Sequence, residues 1–134
     1  MHVRMTGEVT SGVMATLRVQ AANAAPLECC GLLLGSGERI ELAQPARNIA
    51  DDPAIRFEID PMSLLKAHKE ARNGGPQVLG YYHSHPVGHP LPSAVDCDHA
   101  SGDGRIWAII AGEEVTFWRD EAEGFSEFAV SELG

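Results

Sequence analysis

A chain of 134 residues fits one domain around one core, and 44% hydrophobic with 22% charged residues is an ordinary globular balance. A net charge of −9, with the ten Lys and Arg scattered, excludes nucleic acid as the main partner, because phosphate binding needs clustered cations. No apolar run approaches a membrane span, the N-terminus lacks a secretory pattern, and three cysteines with two adjacent make a poor disulfide framework, so the cytoplasm is the expected compartment and no membrane partner is expected.

His2 to Thr6 is expected to form a short strand. Thr10 or Ser11 can cap a helix running to about Asn23, with Val13, Met14, Leu17, Val19 and the alanines on its apolar side. Pro26 closes that segment. Cys29-Cys30-Gly31-Leu32-Leu33-Leu34-Gly35 is a continuous apolar run, the pattern of a strand covered on both faces. Ser36-Gly37 reads as a turn, and Glu38 to Ala43, alternating polar and apolar, as its hairpin partner. Ile55-Arg56-Phe57-Glu58-Ile59 alternates too and predicts another strand.

Asp60-Pro61 opens a helix in the order of cap then N1 proline. Met62, Leu64, Leu65 and His68 fall at helical spacing, and Asn73-Gly74-Gly75-Pro76 ends the helix. Val78 to Tyr82 is a strand that leads into His83. Ser93 to Ala100 predicts a short helix ended by Ser101-Gly102, and three strands follow: Arg105 to Ala111, Glu114 to Arg119 and Gly124 to Val130. Seven acidic side chains in the last 22 residues (Glu113, Glu114, Asp120, Glu121, Glu123, Glu127, Glu132) read as a solvated face. Nothing divides the chain, so residues 1–134 form a single α/β (α+β) domain: a mixed, largely antiparallel curved sheet flanked by two or three helices.

The segment that carries chemistry is Tyr82-His83-Ser84-His85-Pro86 followed by Pro92-Ser93-Ala94-Val95-Asp96. Residues two apart on a strand point to the same side, so His83 and His85 present two imidazoles to one point. Pro86 holds His85 extended and stops the ladder, which places the pair at a strand end. Ser93 is a good N-cap, and Asp96 three residues on faces the same side of the first helical turn. Two His and one carboxylate leave a fourth tetrahedral position open, the arrangement of a catalytic zinc. Such an ion lowers the pKa of its water towards ~7 and polarises a carbonyl. A lone His-x-His is weak, His89 or His99 could ligate instead, and Asp98 could replace Asp96; the loop and the helical rotation favour solvent for these three. Spacing alone also leaves a non-haem iron site open.

At this point the residues resemble the JAMM (MPN-plus) metalloproteases. Glu28, then His83-Ser84-His85, seven residues, Ser93, two residues and Asp96 match that family's motif. Pro26-Leu27-Glu28-Cys29-Cys30-Gly31-Leu32-Leu33-Leu34-Gly35, Phe57-Glu58-Ile59-Asp60-Pro61 and Gly80-Tyr81-Tyr82-His83-Ser84-His85-Pro86 resemble its short bacterial branch, so the likeness runs from about Pro26 to Ile110. The resemblance implies the sandwich fold shared with cytidine deaminases. It also implies one Zn2+ held by His83, His85 and Asp96, with Glu28 as general base and Ser93 stabilising the oxyanion. By pattern alone Glu28 is only a polar residue opening a buried strand.

The implied reaction is hydrolysis of the peptide or isopeptide bond after the Gly-Gly tail of a ubiquitin-like protein. Arg47 to Ile55 and the stretch after Asp96 are too short for the two insertions by which eukaryotic members position ubiquitin. That points to the ubiquitin-like sulfur-carrier proteins processed by short bacterial relatives. Gly31 and Gly80 are expected to allow an extended tail close to a sheet edge. The alternative within the family is a scaffold without activity, and a small domain with sheet edges could pair as a homodimer.

Overall fold

The computed structural model describes residues 7–134, so the strand expected at His2 to Thr6 lies outside the described residues. The elements in chain order are β1 (Gly7–Thr10), α1 (Ser11–Ala24), β2 (Cys30–Ser36), β3 (Arg39–Ala46), α2 (Pro61–Arg72), β4 (Gln77–Ser84), α3 (Ala94–His99), β5 (Ile106–Ala111), β6 (Glu114–Glu121), β7 (Gly124–Glu127) and β8 (Val130–Leu133). The eight strands of the described residues join one sheet in the order β7-β6-β5-β4-β2-β3-β1-β8. The pairs β2/β3, β2/β4, β5/β6 and β6/β7 are antiparallel; β4/β5, β1/β3 and β1/β8 are parallel.

The sheet has to curl. β7 and β8 hold opposite edges yet are joined by Phe128 and Ala129 alone. A link that short reaches about 10 Å at most. A flat eight-stranded sheet would separate those edges by about 33 Å, at ~4.8 Å per strand. The seam is pinned where Phe128 N–H donates to the Phe117 carbonyl at 2.9 Å and Gly7 N–H to the Ala129 carbonyl at 2.9 Å. Arg119 lies over the Phe128 ring, 4.6 Å from its centroid, and donates to Glu38 Oε1 at 2.6 Å. The stretch expected as one strand, Gly124 to Val130, is therefore two strands on opposite edges.

Strand alternation sorts the core into two sides. Val13, Met14 and Leu17 of α1 pack with Leu33, Tyr82, Ala108, Ile110 and Phe117 on one face. Thr10 caps that helix, its hydroxyl accepting from Val13 N–H at 3.2 Å. Leu32 and Leu34 face the other way, towards Ala67 and Leu64 of α2. Cys30, Phe57, Ile59 and Trp107 continue that second face towards α3. The run from Cys29 to Gly35 is buried throughout, as its unbroken apolarity requires.

Several expectations change. Val19, assigned to the apolar side of α1, is exposed, and so are Met62 and Leu65 on α2, whose contact with the sheet runs through Leu64 and Ala67. Ile55 to Ile59 is not a strand: it contributes one isolated bridge, Asn48↔Ile59. Its alternation is real, because Phe57 and Ile59 are buried while Arg56 and Glu58 are exposed. β3 runs on through Pro45, which is tolerated because β1 pairs only with Arg39 and Ile40 and leaves that edge unpaired among the described residues. Asp120, grouped above with the solvated acids, is 1% exposed and accepts from Ser101 N–H and Gly102 N–H, both at 3.1 Å. No helix of the described residues is long and apolar enough to cross a membrane.

Candidate metal centre

Two histidines reach one point because β4 delivers them from a strand end. His83 is the penultimate residue of β4, paired with Cys30 on β2 and Ile109 on β5. His85 lies just past the strand, with its N–H still bonded to the Ile110 carbonyl at 2.8 Å. The two Nε2 atoms stand 3.1 Å apart. Phe57 stacks on the His83 ring at 4.3 Å between centroids, and Trp107 meets it edge-on at 5.7 Å. His83 is fully buried.

Asp96 comes from the first turn of α3. Ser93 Oγ accepts from Asp96 N–H at 3.0 Å, and Asp96 Oδ2 accepts from Ser93 N–H at 2.9 Å, a reciprocal capping box. That box holds the carboxylate back towards β4. Asp96 Oδ1 lies 3.0 Å from His83 Nε2, and Oδ2 lies 3.1 Å from His85 Nε2.

The donor set fits a metal ion. His85 Nδ1 contacts the His89 carbonyl at 2.8 Å, and a carbonyl only accepts, so the ring proton sits on Nδ1. His85 Nε2 is then a lone pair facing a carboxylate oxygen and a second imidazole nitrogen. With the His83 ring nitrogen and the Asp96 oxygens gathered on the same point at 3.0–3.1 Å, a cation among them would be held by all three side chains. Tetrahedral zinc at ~2.0–2.1 Å from its ligands places them about 3.3 Å apart. His83, His85 and Asp96 form the group with metal-ligating geometry among the described residues. Burial disfavours charge on His83 and lowers its pKa, keeping the imidazole neutral as a ligand must be. Burial opposes charge on Asp96 as well, but the close His83 and His85 imidazoles hold its carboxyl well below the usual range. His85 is desolvated too, yet Asp96 and the His89 carbonyl push its pKa up.

Two residues beyond the last ladder pair, Cys30↔His83, the antiparallel chains carry Glu28 ahead of β2 and His85 past the end of β4, on the same end of the sheet. Glu28 is 6% exposed, and its Oε1 has no hydrogen-bond partner among the described residues. Burial raises its pKa to about 7, with His85 pulling down and Asp96 pushing up. The structure thus brings together all four groups expected to act with Ser93. Of the residues weighed as alternatives, His89 offers the site only its backbone carbonyl. Asp98 and His99 are exposed and line a cleft of about 470 Å³ between residues 50–58 and α3. Cys29 and Cys30 are buried free thiols, and Cys97 is exposed.

One expectation about substrate approach fails. Gly31 and Gly80 lie on β2 and β4, each paired on both sides. A Cβ on Gly31 would overlap the Tyr82 ring and the Gln44 carbonyl, and one on Gly80 would overlap the Ile106 backbone. These glycines let strands approach each other. Asn48 and Phe57, which shape the site from residues 47–60, carried no sequence signal for it beyond the buried half of an alternating run.

Residues 10–121 match the family of prokaryotic homologues of the JAB domain. A desampylase of Haloferax volcanii is 28% identical over 97% of this chain and 96% of its own length. A probable TtuB-protein conjugate cleaving protease of Thermus thermophilus is 37% identical over 69% of this chain and 62% of its own. The solution structure of a protein from Desulfitobacterium hafniense superposes with a TM-score of 0.82 at 30% identity, covering 94% of this chain and 92% of that one. Sequence motif, curled sheet and relatives agree: this chain belongs to the prokaryotic JAB-domain family, the short branch of the JAMM proteins.

Proposed function

We propose that the chain is a zinc-dependent isopeptidase that hydrolyses the bond after the C-terminal Gly-Gly of a ubiquitin-like sulfur-carrier protein. The observation that carries this reading is the convergence of His83, His85 and Asp96 within 3.1 Å contacts beside Glu28, whose Oε1 has no hydrogen-bond partner among the described residues. The names of the two relatives, which describe cutting of protein conjugates, support the substrate class. When bound by His83, His85 and Asp96, zinc supplies a Lewis acid and a water acidified towards neutrality.

The protein groups do the rest. Glu28, whose burial raises its carboxyl above the ordinary range, takes a proton from the attacking water and returns it to the leaving nitrogen, so the amine departs neutral. Ser93 Oγ accepts from Asp96 N–H, and its own O–H can donate to the carbonyl oxygen as negative charge develops there. His83 and Asp96 are held by burial and by the capping box, so little reorganisation accompanies reaction.

The test is metal analysis of protein purified without added metal, followed by incubation with a sulfur carrier extended by one residue after Gly-Gly and by a carrier–lysine isopeptide. About one zinc per chain and release of the intact Gly-Gly carrier are expected. Stoichiometric zinc with no cleavage would favour a binding scaffold, and iron with oxygen-dependent turnover would overturn the hydrolase reading.

A further inference from the structure

Glu28 lies just outside the sheet. The β2–β4 ladder ends at Cys30↔His83 and at the bond from Ser84 N–H to the Cys29 carbonyl. Both peptide groups of Glu28 are held instead by residues 47–60: its N–H donates to the Pro53 carbonyl at 2.8 Å, and its carbonyl accepts from Asn48 Nδ2 at 3.1 Å. The same Asn48 nitrogen donates to the Arg56 carbonyl at 3.1 Å. Asn48 Oδ1 accepts from Ala50 N–H at 3.1 Å and Glu58 N–H at 3.0 Å. The full hydrogen-bonding capacity of one amide is thereby spent on joining two stretches of a loop to the residue that carries the base.

We propose that Asn48 is a positioning residue for Glu28. It folds residues 48–58 into a brace, closed at Ile49 N–H to Glu58 carbonyl (2.9 Å) and Asp60 N–H to Arg47 carbonyl (3.1 Å), and ties that brace to the Glu28 backbone. The brace also sets Phe57 on His83, so base and ligand are registered against a common support. Proton transfer needs heavy-atom reach of about 2.6–3.2 Å, and a displacement of about 1 Å costs roughly a hundredfold. The inference rests on Glu28 acting as the base proposed above.

The informative variant is Asn48→Asp. It is close in shape and keeps the acceptor for Ala50 and Glu58, but it turns oxygen towards the Glu28 and Arg56 carbonyls. Expected are wild-type zinc content, KM within threefold and kcat lower by 30-fold or more. In a Glu28→Asp background, where the base is already displaced, the same change should cost less than threefold. Hydrogen exchange on the chelated protein supplies a readout independent of turnover: the Glu28 amide exchanges at least tenfold faster, while the Ala50 and Glu58 amides stay protected. Should Asn48→Asp fail to fold, Asn48→Ala carries the kinetic, zinc and Glu28-exchange readouts. An unchanged kcat, an equal loss in both backgrounds, lost zinc or an unmoved Glu28 amide would each overturn the proposal. A wild-type chain that cleaves no carrier fusion would instead overturn the functional reading, and the exchange experiment would still decide whether Asn48 holds Glu28.

Discussion

The ring of His85 is oriented by the backbone of His89: Nδ1 donates to that residue's carbonyl at 2.8 Å, which leaves Nε2 for Asp96 and His83. The bond explains why a loop of exposed residues matters to a site it does not otherwise enter. It also separates the roles of two histidines that spacing alone left interchangeable. His89→Ala keeps the carbonyl, so zinc content and kcat should stay within about twofold. His83→Ala, His85→Ala or Asp96→Ala each removes a ligand, and zinc should fall below about a tenth per chain after dialysis. Atomic absorption on the four variants checks this; zinc lost in His89→Ala would reverse the assignment.

Glu28→Gln should keep the metal and lower kcat by about a thousandfold, within the range of general acid–base catalysis. The same variant makes a stability claim. Glu28 has its folded pKa raised from 4.5 to about 7, so the folded state holds the proton more tightly than the unfolded chain. Relative to the ionised chain, that preference stabilises fully below about pH 4.5 and is lost as pH rises towards 7. Above pH 7 the buried carboxylate is a burden that a neutral amide lacks. Chelated Glu28→Gln should therefore be more stable than the chelated parent at pH 8, by about 1–3 kcal/mol, and equal to it near pH 4. Urea unfolding at the two pH values checks the sign. With zinc bound the gap should narrow, because the cation favours the carboxylate.

Much of this site was legible in the sequence for a local reason. His83 and His85 obey the two-residue strand period, and Ser93 and Asp96 obey first-turn capping; both rules act within a few residues. Glu28 was not legible in that way. Its place beside the site depends on the pairing of β2 with β4 and on its bonds to Asn48 and Pro53, all distant in the chain, and the family motif supplied what periodicity could not. The alternation at Ile55 to Ile59 reported burial correctly and hydrogen bonding wrongly, because the Asn48 side chain takes the Arg56 carbonyl and Glu58 N–H bonds. Asp120 follows the same rule: the amides that bury its carboxylate, Ser101 and Gly102, lie far back in the chain.

Ser93 carries two duties that one substitution can separate. Its oxygen caps α3 and its O–H can donate to the substrate. Ser93→Ala removes both, so stability should fall by about 0.5–2 kcal/mol and kcat by one to two orders of magnitude. Ser93→Asn should restore the cap and the stability but not the rate, since its side chain presents a different donor at a different height. Recovery of full kcat by Asn would show that Ser93 acts only through the helix.

Gly80 distinguishes a packing role from a substrate role. A tail-binding glycine would tolerate alanine in the folded protein and lose affinity for substrate. Gly80 instead sits between β2 and β5, with the Ile106 carbonyl occupying the space a methyl group would need. The neighbour is backbone in a paired strand and cannot rotate away, so relief requires the β4–β5 ladder to part. That ladder carries His83 opposite Ile109, three residues further on. Gly80→Ala should therefore cost more than about 2 kcal/mol of stability and weaken zinc retention, before any change in KM for the carrier. Thermal melts and metal analysis check it. An unshifted melt with a raised KM would return Gly80 to the substrate groove.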